Sequence, residues 1–341
     1  MADVRVNGER SAPTLEAVAE RAGVSRSTVS RVINGSPKVT PEAREAVERA
    51  IAELGYVPNL AARSLASRRS HSIALVIPEN TSRFFADPYF AEVVEGVAEY
   101  LARSPYTLTL LVASETDPGR TARYLQGGGV DGALVISTHR DDRSYVELAG
   151  RIPLVFSGRP MSPHGEDAVI VDVDNTAAGR IATQVLVDRG RRNIATIAGP
   201  QDMAAGIDRL IGWREALEAA GLRPGAVEEG DFTPAGGAAA MARILERDTT
   251  LDGIFVASAQ MASGALEVIK QRGFAVPRDV SITTIDNDRF AAESDPPLTT
   301  IEQPTRLQGA KIAETLVRII EGRPVERVTI LDVKLIERSS V

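Results

Sequence analysis

The apolar positions of the chain fall into two regimes. In the first 58 residues they recur every three or four positions, in short runs closed by glycine. Leu15, Val18, Ala19 and Ala22 share one face of a helix, Thr14 precedes them as an N-cap, and Gly23 breaks the run. Ser25 can cap a second helix whose inner face is Val29, Val32 and Ile33. Its opposite face carries Arg26, Ser27, Ser30, Arg31 and Asn34. A third helix opens at Thr40-Pro41-Glu42, continues through Ala43, Ala46, Val47, Ala50, Ile51 and Leu54, and ends at Gly55. From residue 72 onward the pattern changes to continuous apolar runs alternating with helical ones. Strands are predicted at 72–78, 107–113, 133–137, 153–156 and 168–171, then at 194–198, near Val227, at 253–256 and at 281–285. Helices are predicted after Asp87-Pro88 and over 175–189, 209–220, 234–245 and 261–272. This βαβ alternation, run through twice, predicts an α/β core of two parallel-sheet lobes behind a small all-α head. Ligands in such sheets sit beyond the carboxyl ends of the strands, which two lobes can turn toward a common cleft.

Composition narrows the function classes. The chain has 341 residues, 43% of them hydrophobic, enough for two or three domains with a sizeable core. No apolar run approaches the ~20 residues of a membrane span, and the N-terminus lacks the apolar core of a secretory signal. A cytoplasmic protein is expected. Cysteine is absent, and His71, His139 and His164 are scattered, so neither thiolate chemistry nor a metal cluster is expected. The glycine run 126–132 has neither dinucleotide-binding spacing nor a P-loop lysine, and no Gly-x-Ser-x-Gly turn occurs. Asp172 and Asp174, two residues apart at a strand end, fit ordinary turn chemistry as well as paired carboxylates. No catalytic residue, cofactor or metal is assigned, and an enzyme is not expected.

Charge changes the picture. The net charge of -7 argues against a nucleic-acid binder, but it is unevenly spread. Residues 1–70 hold 11 Lys and Arg against 8 Asp and Glu, a net of +3, while the remainder carries -10. A short helix, a glycine turn and a second helix exposing small polar and Arg side chains form a helix-turn-helix pattern. Its polar face suits the DNA major groove, where Arg pairs bidentately with guanine. A small helical bundle with a solvated face has the same spacing.

Thr14-Leu15, Val18-Ala19, Ala22-Gly23-Val24-Ser25, Thr28-Val29-Ser30-Arg31-Val32 and Asn34 resemble the DNA-binding head of the lactose-repressor family. The resemblance continues through Val39, Arg44, Val47, Ala52–Asn59, Ala62-Arg63 and Leu65, with Ala17 departing from the family's usual Asp. It implies that Ser25, Arg26, Ser27, Thr28, Ser30, Arg31 and Asn34 face bases or phosphates. It also implies that Asn59, Ala62 and Leu65 belong to a hinge helix formed on the operator, where Leu65 wedges into the minor groove. An apolar wedge unstacks a base step at a cost offset by wider contact on bent DNA, and a helix of about two turns is unstable alone. Arg68 and Arg69 touch phosphate or solvate the linker.

The remainder is similar to the periplasmic-type sugar-binding core of the same family, through Asp87–Glu92, Val130-Asp131-Gly132, Ala198-Gly199-Pro200, Arg209–Trp213, Pro297–Ile301 and Leu335–Arg338. The resemblance implies a head at 1–58, a hinge helix and linker at 59–71, and a core at 72–341. Lobe 1 would take about 72–172 plus 302–330, and lobe 2 about 173–301 plus 331–341. It implies effector roles for Phe90, Arg209, Phe232, Asp286 and Gln303, with Arg159 and His139 as weaker candidates near the cleft. Each also has a plain structural reading: core packing for the two Phe, an interlobe ion pair for Arg209, a turn cap for Asp286. Ala259 stands where the family has Asp, and the segment 79–87 is longer than in shorter members. Met203 and Ala205 replace the polar contacts of purine-binding members. The implied protein is a homodimeric transcriptional repressor on pseudo-palindromic operator DNA, controlled by a sugar or oligosaccharide that shifts the two lobes. A purine- or nucleoside-responsive regulator, one dependent on a protein co-repressor, and a solute-binding protein or enzyme without a DNA role are the alternatives.

Overall fold

The structure is a computed structural model that describes residues 13–33, 35–57, 69–112, 118–161 and 167–341. Asn34, Asn59, Ala62, Leu65, Arg68 and His164 lie outside the described residues. The chain divides into two compact units, Met1–Ser70 and His71–Val341.

The first unit contains α1 (Leu15–Ala22), α2 (Arg26–Ile33) and α3 (Pro41–Leu54). Thr14 Oγ1 accepts from the Ala17 N–H at 3.2 Å, satisfying one of the orphan donors at the start of α1. Gly23 closes α1 in the left-handed region at φ 66°, where a Cβ would be strained. Val18, Ala19, Val29, Val32, Val47, Ala50 and Tyr56 form the core of this unit. Arg21 on α1 pairs with Glu53 on α3 (Nε to Oε2, 2.7 Å).

The second unit holds two six-stranded sheets. The first half of the chain builds β1 (Ser72–Ile77), α4 (Thr81–Ala86), α5 (Pro88–Leu101), β2 (Thr107–Val112), α6 (Pro118–Gln126), β3 (Gly132–Ile136), α7 (Arg143–Val146), β4 (Leu154–Ser157) and β5 (Ile170–Val173). It then crosses to α8 (Asn175–Asp188), β6 (Ile194–Ala198), α9 (Ala204–Ala219), β7 (Val227–Glu229), α10 (Pro234–Arg247), β8 (Gly253–Val256), α11 (Ala259–Gln271), β9 (Ser281–Ile285), α12 (Arg289–Ala292) and β10 (Thr299–Glu302). After Gln303-Pro304 the chain returns as α13 (Thr305–Ile320) and β11 (Val328–Leu331), and it ends in the second lobe with β12 (Lys334–Ile336).

The sheet orders are β11-β5-β4-β3-β1-β2 and β12-β10-β9-β8-β6-β7, parallel throughout except for β12 against β10. Each lobe is therefore a doubly wound sheet, with its strand order reversing between β1 and β3 or between β6 and β8. The central strands are buried on both faces because helices cover both. Leu75, for example, sits between Leu110 and Leu134 in register and is fully buried.

Several elements depart from the periodicity reading, among them α6, the short helices α7 and α12, and the strands β10 to β12, none of which the pattern assigned. Helix α9 starts at Ala204, five residues before the predicted 209; with no side-chain cap at Met203 and burial on several sides, no local signal marks that start. Helix α4, only 6 residues long, falls in the segment taken as a lengthened rim, and Asn80 Oδ1 caps it from the Arg83 N–H at 2.8 Å. Helix α13 lies in a stretch to which the pattern assigned no element.

Three helix pairs meet through reciprocal glycines. A Cβ on Gly96 (α5) would lie 2.0 Å from the Arg306 carbonyl oxygen, and one on Gly309 (α13) 2.3 Å from that of Val93. Gly179 on α8 and Gly212 on α9 approach Arg209 and Thr176 in the same way, and Gly237 on α10 and Gly264 on α11 approach Met261 and Pro234. The opposing atoms are backbone, so no rotamer change relieves the clash. Gly212→Ala, whose Cβ would meet the Thr176 carbonyl oxygen at 2.0 Å, is expected to lower core stability by about 1–3 kcal/mol through overpacking, read as a lowered urea midpoint with an unchanged slope.

Candidate effector cleft and DNA-reading face

A cleft of about 750 Å³, its open mouth included, runs between the lobes where the carboxyl ends of both sheets converge. The carboxyl ends of β4 and β5 and the segments after β1, β3 and β4 supply Arg83, Ser137, Thr138, Ser157, Arg159 and Asp172. Those after β6 to β10 supply Met203, Phe232, Ser258, Asp286 and Gln303. Phe90, Arg159, Arg209, Phe232, Asp286 and Gln303 all line this one cleft.

Arg209 is its fixed cation. It is 6% exposed, donates Nε to Asn175 Oδ1 at 2.9 Å, and donates Nη1 to the Ala257 carbonyl at 2.7 Å. Among the described residues no carboxylate lies within ion-pair distance, so the interlobe ion pair considered for it is not formed. Phe232 packs with its ring 5.8 Å from the Arg209 guanidinium carbon and 5.5 Å from that of Arg83. Its backbone is left-handed at φ 62°, and that of Asp286 is at φ 79°. With Ser137 (φ 57°), three of the four non-glycine residues with positive φ among the described ones line the cleft. Gly199 makes room for Phe232, because a Cβ there would lie 2.5 Å from the ring.

The carboxyl groups are poorly solvated. Burial pushes Asp172 up to about 6; burial, then the neighbouring Asp286 charge, does the same to Asp87. Asp286 is also raised by burial, against the opposing pull of Arg209 and of the Gln303 amide that donates to its Oδ1. Asp288 is held at about 7 by burial and by Asp286, and it caps α12 from Phe290 at 2.9 Å. The turn cap considered for Asp286 is thus supplied by Asp288. Asp174 caps α8, leaving Asp172 to the cleft.

Phe90 is 1% exposed and packs within the first lobe against Phe84 and Tyr89, so it walls the cleft from the core. The Tyr89 hydroxyl, 3.4 Å from Ser157 Oγ, lines the same wall. Arg159 is half exposed and ties lobe 1 to Asp208 on α9 at 2.7 Å. His139 forms a second bridge, with Nδ1 2.8 Å from Asp202 of lobe 2 and Nε2 3.1 Å from Glu79 of lobe 1. Its hydrogen bonds to those carboxylates, Glu79 foremost, raise it to about 9 against the effect of burial. Arg140 reinforces the bridge through its N–H to the Asp202 carbonyl at 2.8 Å. Among the described residues no group of three or more His, Asp or Glu could hold a metal ion.

Arg83, Asp87, Tyr89 and Asn175 were not singled out in the sequence. Tyr89 and Asp87 lie inside the 87–92 motif, and the Asn80 cap was the one local sign of the helix that carries Arg83. Asp172 was visible but ambiguous, since only burial separates it from Asp174.

In the helical unit, Ser25, Arg26, Ser27 and Arg31 are exposed on α2 and the turn before it, while Thr28 and Ser30 are half buried. Ser25 Oγ caps α2 from the Thr28 N–H at 3.2 Å and also meets Ser27 Oγ and Thr28 Oγ1. Arg26 pairs with Glu16 at 3.0 Å, both side chains being solvent-exposed. That contact is weak enough for a phosphate or base to displace it. Lys38 and Thr40, not among the sequence candidates, share a shallow hollow with Ser25, Thr28 and Arg31.

Comparison with known proteins decides the family. The family described as "Bacterial regulatory proteins, lacI family" matches residues 14–59, and a "Periplasmic binding protein-like domain" matches 183–341. The HTH-type transcriptional regulator CelR of Thermobifida fusca is 47% identical over 337 residues, covering 97% of this chain and 99% of its own. The chain belongs to the LacI family of transcriptional regulators. The ribose operon repressor of Escherichia coli (strain K12) is 34% identical over 90% of this chain and 93% of its own. Among solved structures, a CelR–cellobiose complex superposes with a TM-score of 0.77 at 45% identity, covering 96% of this chain and 100% of that one. The lac repressor dimer bound to operator and the anti-inducer ONPF superposes at 0.85, with 28% identity and 96% and 98% coverage. This LacI-family chain is therefore a DNA-binding regulator with an effector-binding core, and not an enzyme.

Two outcomes are expected from the electrostatics. His139 is raised in the folded state, so its bridge stabilises fully below its ordinary value near 6.5 and is lost as pH rises through about 9. The melting temperature is expected to fall between pH 6.5 and 9.5, and His139→Gln to flatten that slope. The cleft carboxylates have the opposite effect to a salt-bridged Asp. Because burial raises Asp172 to about 6, its ionised form costs stability above that pH, and the cost is relieved as pH falls. Asp172→Asn is expected to raise the melting temperature of the unliganded protein at pH 7.5 while weakening effector binding.

Proposed function

We propose that this regulator represses transcription as a cytoplasmic homodimer, that the sugar it senses is a β-linked disaccharide of the cellobiose type bound in the interlobe cleft, and that binding releases the operator. The observation that carries this reading is the cleft itself. A buried guanidinium, desolvated carboxyls, an amide and an aromatic face converge in a space of a size suited to a small oligosaccharide. Vicinal hydroxyls pair with the charged and amide groups, and the C–H face of a pyranose packs on Phe232. The 47% identity to CelR and the solved CelR–cellobiose complex support this sugar class over others. Met203 and Ala205 give the wall an apolar stretch that offers a purine no hydrogen bonds.

In this reading Ser25, Arg26, Ser27, Thr28, Ser30, Arg31 and Asn34 contact the operator, with Asn59, Ala62 and Leu65 in the hinge. Phe90, Arg159, Arg209, Phe232, Asp286 and Gln303 surround the effector. The lobe bridges through His139 and Arg159 are the contacts whose strength differs between the two states. The sugar shifts the equilibrium only as far as it binds one state better than the other.

Thermal shift with cellobiose, glucose, ribose and hypoxanthine is expected to show the largest stabilisation with cellobiose. A shift with hypoxanthine alone would favour the purine-responsive alternative, and no shift with any of them would sink the sugar reading. Selection from a random duplex pool is expected to return a pseudo-palindrome, and Arg31→Ala to weaken its binding by about tenfold or more. Cellobiose is expected to dissociate the complex.

A further inference from the structure

We infer that Arg83 and Gln308 form an effector-binding subsite on the first lobe, in which the Arg83 Nε–H donates to one sugar oxygen and the Gln308 Oε1 accepts from a sugar hydroxyl. The inference deepens the sugar reading above and rests on it. Six buried side-chain polar atoms among the described residues lack a hydrogen-bond partner. Only two of the residues that carry them, Arg83 (through Nε) and Gln308 (through Oε1), line the cleft. A buried polar atom left unpaired costs free energy, and in a native fold it marks a place where water or a ligand belongs. One is a donor and the other an acceptor. Sugar hydroxyls satisfy such a mixed demand, because each can donate and accept.

Both side chains are held ready for this. Arg83 rides on the short helix α4, where Nη1 pairs with Glu79 at 3.0 Å, and the pair is largely buried. Glu79 is itself fixed by Ser137 Oγ at 2.6 Å and by His139. The guanidinium carbon lies 5.5 Å from the centre of the Phe232 ring, the surface on which a pyranose would pack. Gln308, 2% exposed on α13, anchors its Nε2 to the Val171 carbonyl at 3.3 Å, and its Oε1 is left buried without a hydrogen-bond partner in a residue that lines the cleft. The lengthened segment after β1 thus carries a guanidinium into the site from the lobe opposite Arg209. Because Glu79 holds both Arg83 and His139, a sugar that captures Arg83 acts on the same carboxylate that anchors the bridge to Asp202.

The test is calorimetric titration of the full chain with cellobiose, comparing wild type with Arg83→Lys, Arg83→Ala and Gln308→Leu, alongside their melting temperatures without sugar. Arg83→Lys keeps the charge that pairs with Glu79 but lacks the second donor. It is expected to melt like wild type and to bind cellobiose about tenfold or more weakly. Gln308→Leu is expected to melt at or above the wild-type temperature and to lose affinity to a similar degree. If Arg83 serves only as the ion-pair partner of Glu79, Arg83→Ala will melt lower while Arg83→Lys and Gln308→Leu bind as wild type does, and the subsite is overturned. Wild type that binds cellobiose, with unchanged variants, removes the subsite and leaves the sugar reading standing. Wild type that binds none of cellobiose, glucose and ribose removes both.

Discussion

The backbone contact between α8 and α9 sets the geometry of the cleft. Gly179 and Gly212 let the two helices approach until a Cβ on either would strike the carbonyl oxygen of the other helix. The carbonyl that Gly179 meets is that of Arg209. One of the two closest approaches of the helix pair is therefore made at the residue whose side chain reaches Asn175 at the start of α8. A wider spacing would carry the guanidinium away from Asn175 and from the Ala257 carbonyl. With Arg209 fixed, its positive charge is the foremost influence opposing the desolvation of Asp286 and, after the Val173 N–H, also opposes that of Asp172. Charge, burial and aromatic surface in the cleft all follow from helices held closer than side chains normally allow.

The cleft stores unfavourable free energy in its unliganded form. Carboxyls are pushed toward neutrality, three non-glycine residues sit at positive φ, and two polar atoms are buried without partners. The unpaired polar atoms and desolvated carboxyls are costs that water or a bound polar ligand can offset, whereas the positive φ values are set by the backbone itself. A ligand that relieves such terms in only one arrangement of the lobes has the differential affinity that allosteric control requires. The bridges from His139 to Asp202 and from Arg159 to Asp208 cross the same gap, so closure and ligand contact draw on one set of groups.

The pattern of apolar positions was enough to reveal the helical unit and most of the twin βαβ series. Strands such as β3, β6 and β8 are short, largely apolar runs bounded by turns, and α1 to α3 carry caps and glycine stops in their own sequences. Helix α9 was read five residues short because it is buried on several faces and lacks a capping side chain, so neither amphipathy nor a start signal marks Ala204. The helix glycines carried no local sign of their purpose. Within one helix a glycine reads as a weakness, and only the partner backbone explains it. The division of labour between Asp286 and Asp288 was likewise hidden, because both follow β9 and burial alone separates cleft residue from cap.

The sequence by itself carried the family resemblance, the order of head and core, and the residue types on which the proposed DNA and sugar contacts rest. Those properties live in local spacing: a capped helix, a glycine turn, an exposed Ser-Arg face, apolar runs of strand length. Tertiary structure decided which of those residues meet. Arg83 and Gln308 are separated by 225 positions in the chain yet line one cleft, and Phe232 takes its place only because Gly199 leaves room for the ring. Burial and closeness between distant segments depend on how two sheets and their helices pack. That packing turns ordinary carboxyls, an amide and two guanidiniums into a site.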